Sequence, residues 1–288
     1  DRAEVTLFSE QAGSPLYAAC ESANIEIVKL LLSKKAEDIN KCSEQIGSPL
    51  CAACENGCFD IVKVLLDHDA EVNTFSEQMG SPLHGTCREQ ETEEEEEAEV
   101  EFFKREKEIQ RFYVCRKKLR IVKLLLDKGA EVNLFLEKVG SPLHTACENK
   151  HEELVQILLD NEAEVNRFSE QLGCPLHVAC KIGQEGIVQQ LLDKGADINT
   201  FSEHVQSPLH IACENGHFNI VKILVDNAAK INQCLHDGNS PLYQAFQNGH
   251  DRIVKYLLEK GAEIDSCFDN IVHPLLYRHN NGQHGNDN

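Results

Sequence analysis

A solenoid of paired α-helices joined by short β-hairpin turns is the fold this sequence predicts, and three observations predict it. The triplet Ser-Pro-Leu recurs at Ser14, Ser48, Ser81, Ser141, Ser207 and Ser240, with Cys174-Pro175-Leu176 and His273-Pro274-Leu275 as variants. All but one of the steps between these positions are 33 or 34 residues. Each period holds two short stretches with helical spacing of apolar residues, and each closes on Asp, Asn, Lys and Gly residues that stop the second helix. Self-similarity at a period of roughly 20 to 50 residues is what stacked supersecondary units leave in a sequence, since no unit buries its apolar face alone.

The unit from Ser207 to Asn232 justifies its elements in order. Ser207 suits an N-cap, and Pro208 suits the first helical position, where its missing N–H costs nothing. Leu209, Ala212 and Cys213 fall on one helical face, with small side chains that let a neighbouring helix approach. Asn215-Gly216 ends that helix, Gly216 supplying a left-handed conformation. Ile220, Val221, Ile223 and Leu224 form the apolar stripe of a second, antiparallel helix. Repeated along the chain, this gives about seven complete helix pairs, a partial unit at residues 1–13 and a truncated one after His273. One array over residues 1–278 is expected, with residues 279–288 a disordered tail that lacks apolar periodicity.

These units resemble the ankyrin repeat, whose signature has the form TPLHxAAxxGHxxIVxxLLxxGAxVN. Serine stands for the usual threonine, and cysteine replaces the second alanine at Cys20, Cys54, Cys87, Cys147, Cys180 and Cys213. Of the fingers that join units, only His236-Asp237-Gly238 carries the family's Asp-Gly tip. The others read Phe-Ser-Glu-Gln-x-Gly or close to it, at Phe8, Phe75, Phe168 and, more loosely, Phe135 and Phe201. The resemblance implies a non-enzymatic protein-binding scaffold whose hairpin tips and outward first-helix residues line a concave binding face. The matching positions are Phe75, Glu77, Phe135, Glu137, Phe168, Glu170, Phe201 and Glu203 on the fingers. On the first helices they are Thr145, Glu148, Val178, Lys181, Ile211 and Glu214. It implies also that His84, His144, His177 and His210 tie each helix start to the neighbouring hairpin, with Tyr17, Cys51 and Tyr243 in that slot elsewhere. Asn133, eight residues after Leu125, resembles the substrate of an asparaginyl hydroxylase. The plainer reading makes Asn73, Asn133, Asn166, Asn199 and Asn232 hairpin hydrogen-bonders.

Composition narrows the partners. Twenty-eight basic against 48 acidic residues give a formal charge of −20, which repels phosphate backbones and anionic lipid, so neither nucleic acid nor membrane is expected. No run of about 18 apolar residues is present. Thirteen cysteines, an odd number without a secretory apolar segment, suggest reduced thiols and a cytoplasmic or nuclear setting, and a start at Asp1 leaves room for missing N-terminal sequence. Cys51, Cys54 and Cys58 have the spacing of a metal site, yet each occupies a register position that the repeat explains. No metal, cofactor or catalytic residue is expected, because no nucleophile is paired with a base outside the repeat and no glycine-rich loop cradles phosphate. The cysteine ladder reads as small buried hydrophobes, spaced beyond disulfide reach.

The period is broken once. Thirty-three residues separate Cys87 from Ile121, against six between Cys213 and Ile220. Nine glutamates crowd residues 89–101, and a basic stretch with Phe102, Phe103, Phe112 and Tyr113 follows. One reading is an acidic loop inserted at about 88–115, leading into an extended amphipathic helix that runs to Ile121. A decayed extra repeat around Phe112-Tyr113-Val114-Cys115, and a sequence artefact, are the others. Rows of aromatic and acidic residues would suit a basic protein segment carrying hydrophobic anchors; the bland alternative is that each Phe packs on the next finger. A monomeric scaffold or adaptor is expected, the alternative being the regulatory or targeting part of a larger enzyme or channel.

Overall fold

The computed structural model describes residues 8–34, 38–88, 116–235 and 238–264. Helices come in pairs. These are α1 (Pro15–Glu21) with α2 (Ile25–Ser33), α3 (Pro49–Glu55) with α4 (Phe59–Asp67), and α5 (Pro82–Cys87) with α6 (116–127). They continue as α7 (Pro142–Glu148) with α8 (Glu152–Asp160), α9 (Pro175–Ile182) with α10 (Glu185–Asp193), α11 (Pro208–Glu214) with α12 (Phe218–Asp226), and α13 (Pro241–Gln247) with α14 (Asp251–Glu259). The acidic run, Phe112–Cys115, the Asp237 hairpin tip, the unit after His273 and the tail 279–288 lie outside the described residues.

Two compact units divide the chain, Asp1–Gln171 and Leu172–Asn288. In the first, α1 packs on α3, α3 on α5 and α5 on α7, while α2 packs on α4. In the second, α9 packs on α11 and α11 on α13, with α10, α12 and α14 in a parallel row. Contacts between neighbours are thus the source of stability, as in any stacked array.

Each first helix starts as its sequence dictates. Ser14, Ser48 and Ser240 sit in extended backbone and their hydroxyls accept the N–H three residues on, at 3.1, 3.2 and 3.1 Å, with proline at the first helical position. Cys20, Cys54, Cys87, Cys147, Cys180 and Cys213 are all wholly buried. Burial pushes these thiols up, to about 12 for Cys20 and Cys87, so they are inert apolar filling at neutral pH. Most second helices bury the Ile-Val and Leu of their stripe, as Ile61, Val62 and Leu65, Ile187, Val188 and Leu191, and Ile220, Val221 and Leu224 do, whereas in α2 Ile27 is exposed and Val28 buried.

Two features depart from the pattern. α6 begins at least five residues before Ile121, and Lys118 inside it is 1% exposed. Three residues before Ile121, Lys118 occupies the register position of Cys58, His151, His217 and His250. Its stem lies 3.8 Å from where a Cβ on Gly57 would stand, and its Nζ donates to the Arg88 carbonyl. His217 and His250 use the same position to donate from Nε2 to the Lys181 and Glu214 carbonyls, at 3.1 and 3.0 Å. The expectation of reduced thiols holds for the ten other described cysteines but not for Cys234, which is disulfide-bonded.

Candidate partner-binding site

The fingers are built from a tight turn closed by glycine. Ser76 and Gly80 exchange backbone hydrogen bonds of 3.3 and 2.9 Å, and Ser9–Gly13, Ser43–Gly47 and Leu136–Gly140 form the same isolated antiparallel bridges. Gly80 holds φ +75°, and a Cβ there would stand 2.7 Å from the His84 ring, so no other residue fits. Gln206 occupies that slot after Phe201. The finger opens accordingly, leaving Ser202 to donate to the Val205 carbonyl at 2.9 Å.

Where histidine occupies the slot, it ties the start of a first helix to the finger that follows that helix. The Ser81 N–H donates to Nδ1 of His84, so Nε2 carries the proton and donates to the Gly140 carbonyl of the next finger at 3.3 Å. His210 reaches the Asn239 carbonyl in the same way at 3.2 Å, and His177 the Thr200 carbonyl at 3.0 Å. Burial holds the His84 imidazole down at about 4, against the opposing pull of the Gly140 carbonyl. In the same slot Cys51 only approaches the Gly80 carbonyl, its sulfur 4.0 Å away. Among the described residues no three His, Cys, Asp or Glu side chains come together to hold a metal ion.

Asparagines bridge consecutive repeats. Asn133 Nδ2 donates to the Glu162 carbonyl at 3.1 Å and its Oδ1 accepts the Glu164 N–H at 2.8 Å. Asn73 does the same to Gly129 and Glu131, and Asn232 to Gly261 and Glu263. Both ends of the Asn133 amide are therefore in structural use.

The remaining finger positions divide. Phe75 is 45% exposed and Phe201 37%, and Glu77, Glu137, Glu170 and Glu203 are exposed. Phe168 is half-buried. Phe135 is half-buried too, edge-on to His144 at 6.2 Å and beneath the Arg167 guanidinium at 4.7 Å. On the first helices Glu148, Lys181 and Glu214 are exposed and Ile211 half-buried. Thr145 and Val178, expected to face outward, are buried. The reason shows at the equivalent Gly85, where an added Cβ would stand 3.2 Å from the Cys51 carbonyl: this register position turns toward the preceding first helix. The half-burial of Phe135 traces to the residue before the next finger's aromatic, a relation that a single repeat does not display.

Helix pairs in register, closed by hydrogen-bonded fingers that present polar and aromatic side chains, define a repeat solenoid. A family model described as ankyrin repeats (3 copies) matches residues 3–76, 112–202 and 201–266, and the chain belongs to the ankyrin-repeat family. It is similar to the crystal structure of the human ASB11 ankyrin repeat domain, with 26% identity, a TM-score of 0.67, and coverage of 87% of this chain and 99% of that one. A search of the curated proteins finds no significant match. Ankyrin repeats are generally protein–protein interaction domains and typically non-catalytic.

Proposed function

We propose that this chain is a scaffold or adaptor that holds a basic, hydrophobically anchored segment of a partner protein on its finger and first-helix face. One observation carries the reading: Phe75 and Phe201 keep 45% and 37% of their surface exposed, while the other described finger aromatics are half-buried. Partly exposed rings beside exposed Glu77 and Glu203 are accessible to a partner, and aromatic side chains are enriched at protein interfaces. The formal charge of −20 speeds encounter with a cationic segment.

The test is affinity capture from cell lysate with the intact chain beside a Phe75→Ala/Phe201→Ala variant whose helix content is verified by circular dichroism. Loss of specific partners from the folded variant supports the finger face. Retention of the same partners moves the binding site elsewhere.

A further inference from the structure

Four of the finger aromatics, Phe8, Phe75, Phe135 and Phe201, sort into two sets according to the residue of the next finger that stands just before its aromatic or cysteine; Phe168, half-buried with uncharged Thr200 in that place, falls outside the sort. Lys41 holds that place after Phe8, Leu134 after Phe75, Arg167 after Phe135 and Gln233 after Phe201. Where the residue is basic it folds back over the ring: Lys41 Nζ lies 4.5 Å from the Phe8 centroid and the Arg167 guanidinium 4.7 Å from that of Phe135. Both rings are half-buried. Leu134 and Gln233 carry no charge, and among the described residues no cation is seated on Phe75 or Phe201.

We propose that Phe75 and Phe201 are vacant cation–π seats, each of which takes an arginine or lysine side chain of the partner's basic segment where Lys41 and Arg167 serve Phe8 and Phe135. The inference rests on the finger-face reading and gives it a chemical specificity. A ring face attracts a cation through its quadrupole, and the attraction strengthens as water is excluded. The same fingers present the exposed carboxylates of Glu77 and Glu203, which favour a cation and disfavour an anion at these rings. Within the chain, two copies of the arrangement are already filled, which fixes the geometry a guest side chain would adopt.

The experiment supplies the missing cation from inside. Leu134→Arg and Gln233→Arg place a guanidinium where Arg167 stands, without altering either ring, and Arg167→Gln uncovers Phe135. Thr74→Arg controls for charge repulsion, since the preceding finger carries Cys42 and offers no ring to cover. The probe is a fluorescein-labelled peptide of alternating arginine and leucine, compared with its citrulline analogue, which keeps the shape and loses the charge. Fluorescence anisotropy is expected to show affinity falling about two- to fivefold for each of Leu134→Arg and Gln233→Arg, and rising by a similar factor for Arg167→Gln. Thr74→Arg should change it less, and the citrulline peptide should bind at least about tenfold more weakly. If Phe75→Ala/Phe201→Ala weakens binding while Leu134→Arg and Gln233→Arg behave like Thr74→Arg, the rings act as apolar anchors and the cation seats are overturned, with the finger face retained. If the arginine peptide does not bind the unsubstituted chain, both the basic-segment reading and the seats fall.

Discussion

Replacing His84 with glutamine should flatten the acid sensitivity of the first unit. In the folded chain burial holds the His84 imidazole near 4, whereas an unfolded histidine titrates near its ordinary 6.5. A depressed folded value means that folding favours the neutral ring. The stability it contributes is fully present above about pH 6.5 and is lost as pH falls toward about 4. Between about pH 7.5 and about pH 5 that loss comes to about 2 kcal/mol, because the unfolded chain takes up a proton that the folded chain refuses. Glutamine stays neutral throughout and keeps an N–H that can reach the Gly140 carbonyl; losing the Nδ1 acceptor of the Ser81 N–H costs stability equally at both pH values, so the pH dependence isolates the titration. Urea unfolding followed by circular dichroism at the two pH values gives the comparison. The unsubstituted chain should lose about 2 kcal/mol more than the variant on acidification; equal losses in both would refute the account of His84 as a buried neutral link.

Three further outcomes are expected. Asn133→Ala removes two inter-repeat hydrogen bonds and should cost about 1–3 kcal/mol in urea unfolding, while Asn227→Ala, which loses one exposed bond within α12, should cost about 0.5 kcal/mol or less. N-Ethylmaleimide near neutral pH should modify half-buried Cys42 and Cys58 before any of Cys20, Cys54, Cys87, Cys147, Cys180 and Cys213, as peptide mass spectrometry would show; labelling of the ladder in the native chain would contradict its role as filling. Lys118→Met keeps the buried stem and should change stability by about 1 kcal/mol or less, whereas Lys118→Ala empties the space against Gly57 and should cost about 2–4 kcal/mol.

The period made most of the fold legible. Ser-Pro at each helix start, the buried cysteine and the Ile-Val stripe each have one physical role wherever they recur, and the structure gives them that role at nearly every described copy, Ile27 of α2 being the exposed exception. Histidine and asparagine were readable for the same reason, as positions whose hydrogen bonds run to the next repeat. What a single unit could not show is how units meet. Thr145 and Val178 count as outward on an isolated helix and are buried once the stack forms. Lys118 was masked by the surrounding basic stretch, although alignment with His217 and His250 marks its position as one that donates to a backbone carbonyl. The states of Phe8, Phe75, Phe135 and Phe201 likewise go with Lys41, Leu134, Arg167 and Gln233 in the following finger, and so emerge only from neighbouring repeats taken together.

The finger face as the partner's seat is tested most directly by photo-crosslinking. p-Benzoylphenylalanine in place of Phe75 is compared in cell lysate with the same residue in place of Lys63, which is exposed on the second helix α4. Position 75 should yield discrete covalent adducts that an excess of unlabelled chain competes away, and position 63 should yield none. Adducts at 63 with none at 75 would place the interaction on the helical back and contradict the account.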